Sequence, residues 1–155
     1  MLYISQFSDN EIRKPIYKKR YAIVNSYRHP SALFTQLPII APSTDLFYKC
    51  QELKQTKNWN EDTFQKIYIP NFLKQLHGEK ERQTLAWLYE QSKTENIVLA
   101  CFCHDEAHCH RSIIAGLMQG AGACVALPTN TDYSKYWNMY NDPQYWADAS
   151  PHEIT

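Results

Sequence analysis

The sequence predicts an α/β fold with a mainly parallel sheet and helices on both faces. Three observations predict it. Short apolar runs of strand length alternate with longer runs at helical spacing. One short run, NIVLACF at 96–102, is continuously apolar, the pattern of a strand covered on both faces. The segment that follows, CFCHDEAHCHR at 101–111, crowds three cysteines, three histidines, two carboxylates and an arginine into the stretch before a helix. Open parallel sheets place their ligands beyond the carboxyl ends of their strands, which is where this segment falls.

The elements follow in order. LYISQF (2–7) reads as a first strand. KKRYAIVNSYRHP (18–30) holds a second, its apolar run Tyr21 to Val24 stopped by Asn25, Ser26, Arg28 and Pro30. QLPIIAPSTD (36–45) carries two prolines and reads as an irregular loop. Ser43 or Thr44 caps a helix over 45–56 that sets Leu46, Cys50 and Leu53 on one face. A second helical run starts near Asn60 with acids in its first turn, and Phe64, Ile67, Tyr68, Phe72 and Leu76 follow at helical spacing; Pro70 must kink or split it. A third helix covers 79–93, with Leu85, Leu88 and Tyr89 as its stripe. After the strand at 96–102, a helix runs over 111–123, closed by Gly120 and Gly122, and CVAL (124–127) is a short last strand. Residues 1–128 form the α/β domain on this reading. Residues 129–155 are an aromatic-rich C-terminal extension packed on it, with six aromatics between Tyr133 and Trp146.

Composition narrows the function. The chain has 155 residues, 44% of them hydrophobic and 21% charged, so it folds into a globular core. Its formal net charge is +0, which removes a general pull on nucleic acid or anionic lipid, and neither is expected as a partner. No apolar run reaches the ~20 residues of a membrane span. Met1 to Asp9 lacks the pattern of a secretory signal, so the expected location is the cytoplasm. Five cysteines, three of them within nine residues, are not a disulfide framework; in a reducing compartment they read as metal-binding, catalytic or buried.

The 101–111 segment supports several chemistries. A helix starting near His110 or Arg111 points free N–H groups into the loop, and these favour an anion or a thiolate. A ligand phosphate would then sit among Cys103, His104, Arg111 and Ser112. Alternatively Cys109 is a thiol nucleophile, with His108 or His110 as acid/base and Glu106 orienting that histidine. The layout of strand, cysteine loop and helix with an early arginine is shared in outline by rhodaneses and cysteine phosphatases, whose glycine-rich loop is missing here. Cys103, His108 and Cys109 are also candidate zinc ligands, although the spacing differs from paired zinc motifs. Cys101, Cys50 and Cys124 read as core. Asn25, Ser26 and Arg28 end the second strand, so a parallel sheet brings them near the same loop and lets Arg28 hold a second phosphate or carboxylate. Trp137 and its neighbours are candidates for a lid on which a base stacks, worth ~1–3 kcal/mol per base. Against that, Tyr133, Trp137 and Tyr140 at helical spacing pack one face onto the core, or form a self-association surface.

The stretch IVLACFCHDEAHCHRSIIAGLMQGAG resembles the signature of the domain-of-unknown-function family 488: an apolar strand ending in Cys, a short acidic loop, then Cys-His-Arg opening a helix. WNEDTFQKIYIPNFLKQL (59–76) is similar to the family branch with a Trp-Asn-Glu-rich helix before that signature. The resemblance covers residues 2 to 127. It implies a Rossmann-like α/β domain from bacteria or their phages, with Cys103, Cys109, His110 and Arg111 on signature positions and Arg28 on a weaker one. It implies no activity.

The expectation is therefore a site for a phosphorylated, nucleotide-type small molecule on Arg28 and the Cys103 to Ser112 loop. The alternatives are a cysteine-dependent enzyme, a non-catalytic sponge for a nucleotide immune signal acting in a phage host's cytoplasm, and a structural zinc site. No cofactor is expected outside the zinc alternative, and the aromatic tail is the candidate surface for a homo-oligomer.

Overall fold

The computed structural model describes residues 1–25 and 33–152. Ser26 and Arg28 lie outside the described residues. Five strands, β1 (Leu2–Gln6), β2 (Lys19–Ala22), β3 (Thr35–Gln36), β4 (Ile97–Cys101) and β5 (Val125–Ala126), form one sheet in the order β3-β2-β4-β1-β5. Every pairing is parallel. The fold is α/β and Rossmann-like. All five residues of β4 are buried, as a strand must be when helices cover both faces of its sheet.

The register places the site. β4 is central, with Gln6 of β1 beside Cys101 on one edge and Ala22 of β2 beside Ala100 on the other. The ladder extends past the strand ends: Ile23 N–H donates to the Ala100 carbonyl and Phe7 N–H to that of Cys101. The carboxyl ends of three adjacent strands thus open on one spot, and the chain leaves β1 and β2 on opposite sides of β4.

The helices are α1 (Thr44–Gln55), α2 (Glu61–Thr63), α3 (Ile69–Gln75), α4 (Glu79–Ser92), α5 (His110–Gly120) and α6 (Lys135–Tyr140). Ser43 caps α1 by accepting from Leu46 N–H, and Leu46, Cys50 and Leu53 are its buried face. Asn60 and Thr63 form a reciprocal capping box at the start of α2. Pro70 does not split the next run, which stays helical from Glu61 to Gln75. A π-helical turn, Phe64–Tyr68, joins α2 to α3, so Ile69 N–H reaches back five residues to the Phe64 carbonyl. The wider turn absorbs the N–H that proline lacks. Asn71 Nδ2 donates to the Ile67 carbonyl, and the rings of Phe64, Tyr68 and Phe72 stack in succession.

The loop expected over 36–45 contains two ordered pieces: Gln36 closes β3, and Pro38–Ile40 is a 3-10 turn that buries Ile40. Both were hidden because a two-residue strand and a single turn are too short to show a period. No helix among the described residues is long and apolar enough to cross a membrane.

The C-terminal segment packs closely on α5. A Cβ added at Gly116 would lie 2.1 Å from the Tyr133 carbonyl oxygen, and one added at Gly120 2.1 Å from Trp137 Cβ. Tyr133, Tyr136 and Tyr140 are buried there. Further along, His77 is sandwiched between the rings of Tyr140 and Trp146, both at 3.9 Å.

Candidate functional site: a cysteine–histidine cluster beneath an aromatic cavity

Cys101 ends β4, Cys103 is the first inward residue beyond it, and Cys109 and His110 open α5. Cys101 and Cys103 both join the cluster at the end of β4, while the Phe102 ring between them packs on Phe7. Cys109 is extended (φ −135°, ψ 152°) and turns the chain into α5. The result is a cluster in which the sulfurs of Cys101, Cys103 and Cys109 and a ring nitrogen of His110 all lie within 4.8 Å of one another. Cys101 and Cys109 sulfurs are 3.5 Å apart, and His110 Nδ1 is 3.4 Å from Cys109 Sγ. These four are a set of soft donors of the kind that holds a metal.

His110 is fully oriented. Its Nε2 lies 2.7 Å from the Ile23 carbonyl, which can only accept, so Nε2 carries the proton and Nδ1 turns toward the sulfurs. Arg111 is 3% exposed. Its Nη1 donates to the Cys103 carbonyl and faces Cys101 Sγ at 3.5 Å. Its Nε has no hydrogen-bond partner among the described residues.

The cluster shares charge unequally. Hydrogen bonds from the thiols of Cys101 and Cys109, and a further one from His110, hold the Cys103 thiol far below its ordinary range despite its burial. Cys101 is pushed well up, first by its bond to Cys103 and then by Cys109 and burial. Cys109 is pushed up chiefly by burial. Burial pulls His110 down, but its bond to Cys103 and the neighbouring sulfur charges outweigh this and raise it. Cys103 is therefore the cysteine whose thiolate its surroundings favour most, and it is the one member that is partly open to solvent.

Above the cluster lies a cavity of about 570 Å³, within the range of small-molecule sites. Cys101, Cys103, Cys109 and His110 form its floor, and Phe47, Tyr48, Trp59, Tyr68 and Phe102 line its walls. Lys54, Gln51 and Asn25 supply polar groups, Asn25 being also tied to the Pro42 carbonyl at 2.7 Å. Lys54 Nζ stands 5.2 Å over the Trp59 ring. At the rim, His108 Nδ1 donates to Asp105 at 2.8 Å and Nε2 to Glu61. Glu61 first, with Asp105 behind it, outweighs partial burial and raises the His108 pKa.

The structure brings together Asn25, Cys103, His108, Cys109 and His110 of the expected site. Arg111 and Ser112 do not line the cavity: Arg111 is turned inward, and buried Ser112 donates to the Cys109 carbonyl at 2.8 Å. His104 pairs with Gln6 at the surface. Glu106 orients neither histidine. It is buried and accepts from Tyr133 Oη at 2.8 Å and from Thr129. Trp137 lies at the far end of α5, against Gly120, which is no place for a lid.

Cys101 is core, as expected, and fully buried, and it is part of the cluster as well. The walls from α1 and the π turn were also missed. Phe47, Tyr48 and Gln51 form a second face of α1 opposite its apolar stripe, and two aromatics on the supposedly wet side of a helix were the signal available.

Residues 5–122 match the family model DUF488-N3a, described as the active DUF488-N3 subclade. No curated protein and no solved structure matches the chain.

Proposed function

From the premise that the chain belongs to the DUF488 family, we propose that its aromatic cavity is the active site for a planar, nucleotide-type small molecule whose reacting atom meets Cys103. One observation carries the reading: three cysteines and a histidine floor the cavity, while its walls are aromatic and suit a flat ring. A base slotted between Trp59, Tyr68 and Tyr48 gains stacking of ~1–3 kcal/mol per ring face. A phosphate then falls to Lys54, since Arg111 is committed inside the protein. The matching model's description as an active subclade favours catalysis over binding alone.

The roles shift from those expected. Cys109 is 1% exposed and its thiol is pushed up by burial, which suits a supporting group better than a nucleophile. Cys103 is the sulfur that reaches the cavity with a thiolate's character. His110, its Nε2 committed to the Ile23 carbonyl, turns Nδ1 toward the sulfurs and steadies the Cys103 thiolate.

The test is a ligand screen of the full chain with free bases, nucleosides and nucleotides, read by saturation-transfer NMR and thermal shift. Binding by nucleotides above nucleosides, weakened by Trp59→Leu and by Lys54→Gln, is the expected result. Equal binding by the Trp59→Leu variant, or none by any compound, overturns it. Prolonged incubation then separates turnover from retention. Recovery of a tightly held nucleotide unaltered would make the protein a sequestering one.

A further inference from the structure

We propose that Cys101, Cys103, Cys109 and His110 hold one zinc ion at the floor of the cavity. The inference goes beyond the cavity's ligand and does not depend on it.

The donor spacing fits. Tetrahedral zinc with Zn–S of about 2.3 Å and Zn–N of about 2.0–2.1 Å needs S···S separations of roughly 3.8 Å and S···N of roughly 3.6 Å. Cys101 and Cys109 sulfurs stand 3.5 Å apart, Cys109 Sγ and His110 Nδ1 3.4 Å, and no pair among the four donors exceeds 4.8 Å. An ion drawing them onto a common shell needs shifts of only a few tenths of an ångström at the two measured pairs.

The second sphere fits as well. Metal-bound histidines characteristically donate their other ring N–H to a carbonyl or carboxylate, which fixes the tautomer and aims the free nitrogen. His110 does so to Ile23. A dication with three thiolates leaves one negative charge, and buried Arg111 beside Cys101 Sγ supplies the matching positive one. Among the described residues no carboxylate pairs with Arg111, so the sulfurs are its counter-charge. Three sulfurs and one imidazole nitrogen within 4.8 Å of one another are a donor set that selects zinc over the hard cations. Ion binding displaces the remaining thiol protons to solvent.

The site is closed on three sides. Cys101, Cys109 and His110 are buried at the cavity floor, and Cys103 is the most open of the four. The ion would thus lie beneath the proposed ligand and hold the Cys103 sulfur toward it.

The experiment measures metal in the untagged chain purified without chelator, by elemental analysis and native mass spectrometry. About one zinc per chain is expected. Cobalt(II) exchanged into the chain should show the strong d–d bands and sulfur-to-metal charge transfer of a tetrahedral thiolate site. Cys103→Ser, the least buried of the substitutions, should lower zinc affinity at least about tenfold and weaken the charge-transfer band. A folded chain with no metal and no uptake from a zinc-loaded chromophoric chelator overturns the proposal. So does iron in place of zinc, or a Cys101–Cys109 disulfide in the chain as purified. None of these readouts requires a nucleotide, so failure here is separate from failure of the ligand screen.

Discussion

His110 Nε2–H donates a hydrogen bond to the carbonyl of Ile23, 2.7 Å away, and so a residue just past the end of β2 sets which nitrogen of a helix-opening histidine faces the sulfurs. The bond joins two residues 87 positions apart. It couples the chemistry of the 101–111 segment to the sheet edge rather than to its own loop.

The first prediction follows from that bond. His110→Gln keeps a donor toward Ile23 but presents no nitrogen lone pair to Cys109. Zinc affinity should fall at least about tenfold while the chain stays folded. Competition against a chromophoric chelator, with circular dichroism beside it, checks both halves.

Cys103 supplies a second. Its thiol is held low by the thiols of Cys101 and Cys109 and by His110, so in zinc-stripped protein it stays ionised as pH falls. Its alkylation by iodoacetamide should therefore change little across a range in which an ordinary thiol, of pKa ~8.5, loses about tenfold per pH unit. Peptide mapping after short exposures assigns the rate to Cys103. A tenfold loss per unit at that residue would refute the thiolate, and bound zinc should slow the reaction.

A third concerns Glu106, which is buried with Oε2 held by Tyr133 and Thr129. Tyr133→Phe removes one donor from a buried acceptor and should cost about 1–3 kcal/mol in urea unfolding. Because Glu106 bonds to Tyr133 and Thr129 and not to His110, zinc affinity should be unchanged. A Tyr133→Phe variant that folds as stably as the parent contradicts the contact.

Helix α5 yields the fourth. Gly116→Ala drives a methyl against the Tyr133 backbone carbonyl at 2.1 Å, where nothing flexible can yield, and should destabilise by about 1–3 kcal/mol or more. At Gly120 the obstacle is the Trp137 side chain. Gly120→Ala paired with Trp137→Ala should therefore recover part of the loss, whereas no second truncation rescues Gly116→Ala. Thermal unfolding of the set decides it.

Asp9 governs a fifth, the acid limb of stability. Burial raises its pKa, but hydrogen bonds from Tyr3 Oη at 2.6 Å and Ser5 Oγ at 2.7 Å, with the Glu11 N–H, outweigh this and lower it. A depressed carboxylate adds stability above its ordinary pKa of ~3.9, and the contribution is lost as pH falls through the lowered value. Asp9→Asn should lower stability at pH 7 by about 1–2 kcal/mol. Its disadvantage should shrink on acidification. A constant difference between pH 7 and pH 3 would show that Asp9 is not held low.

Much of this was legible in the sequence. The apolar run of 96–102 is the central strand because only a strand covered on both faces tolerates unbroken hydrophobicity, and Cys103, Cys109 and His110 follow from where that strand ends. The spacing of Leu46, Cys50 and Leu53 gives α1, and the caps at Ser43 and Asn60 give two helix starts. These are short-range properties, carried by the period of side chains and the hydrogen bonds of a few neighbours.

The tertiary structure alone decided the rest. Periodicity does not say which face of β4 meets α5, so the sequence places Cys101 in the core but does not show Cys109 3.5 Å from it. Arg111 turned inward because the Cys103 carbonyl and the Cys101 sulfur offer a buried partner that local sequence cannot reveal. Glu106 found Tyr133 and Thr129 rather than a histidine, and Trp137 found Gly120 rather than the cavity, because the C-terminal segment crosses α5 there. The cavity is assembled from α1, a π turn and the β4 loop, the first and last of which are separated in the chain by α2, α3 and α4. Such convergence is set by packing between distant elements, which depends on the volume and direction of side chains in three dimensions and leaves no period in the sequence.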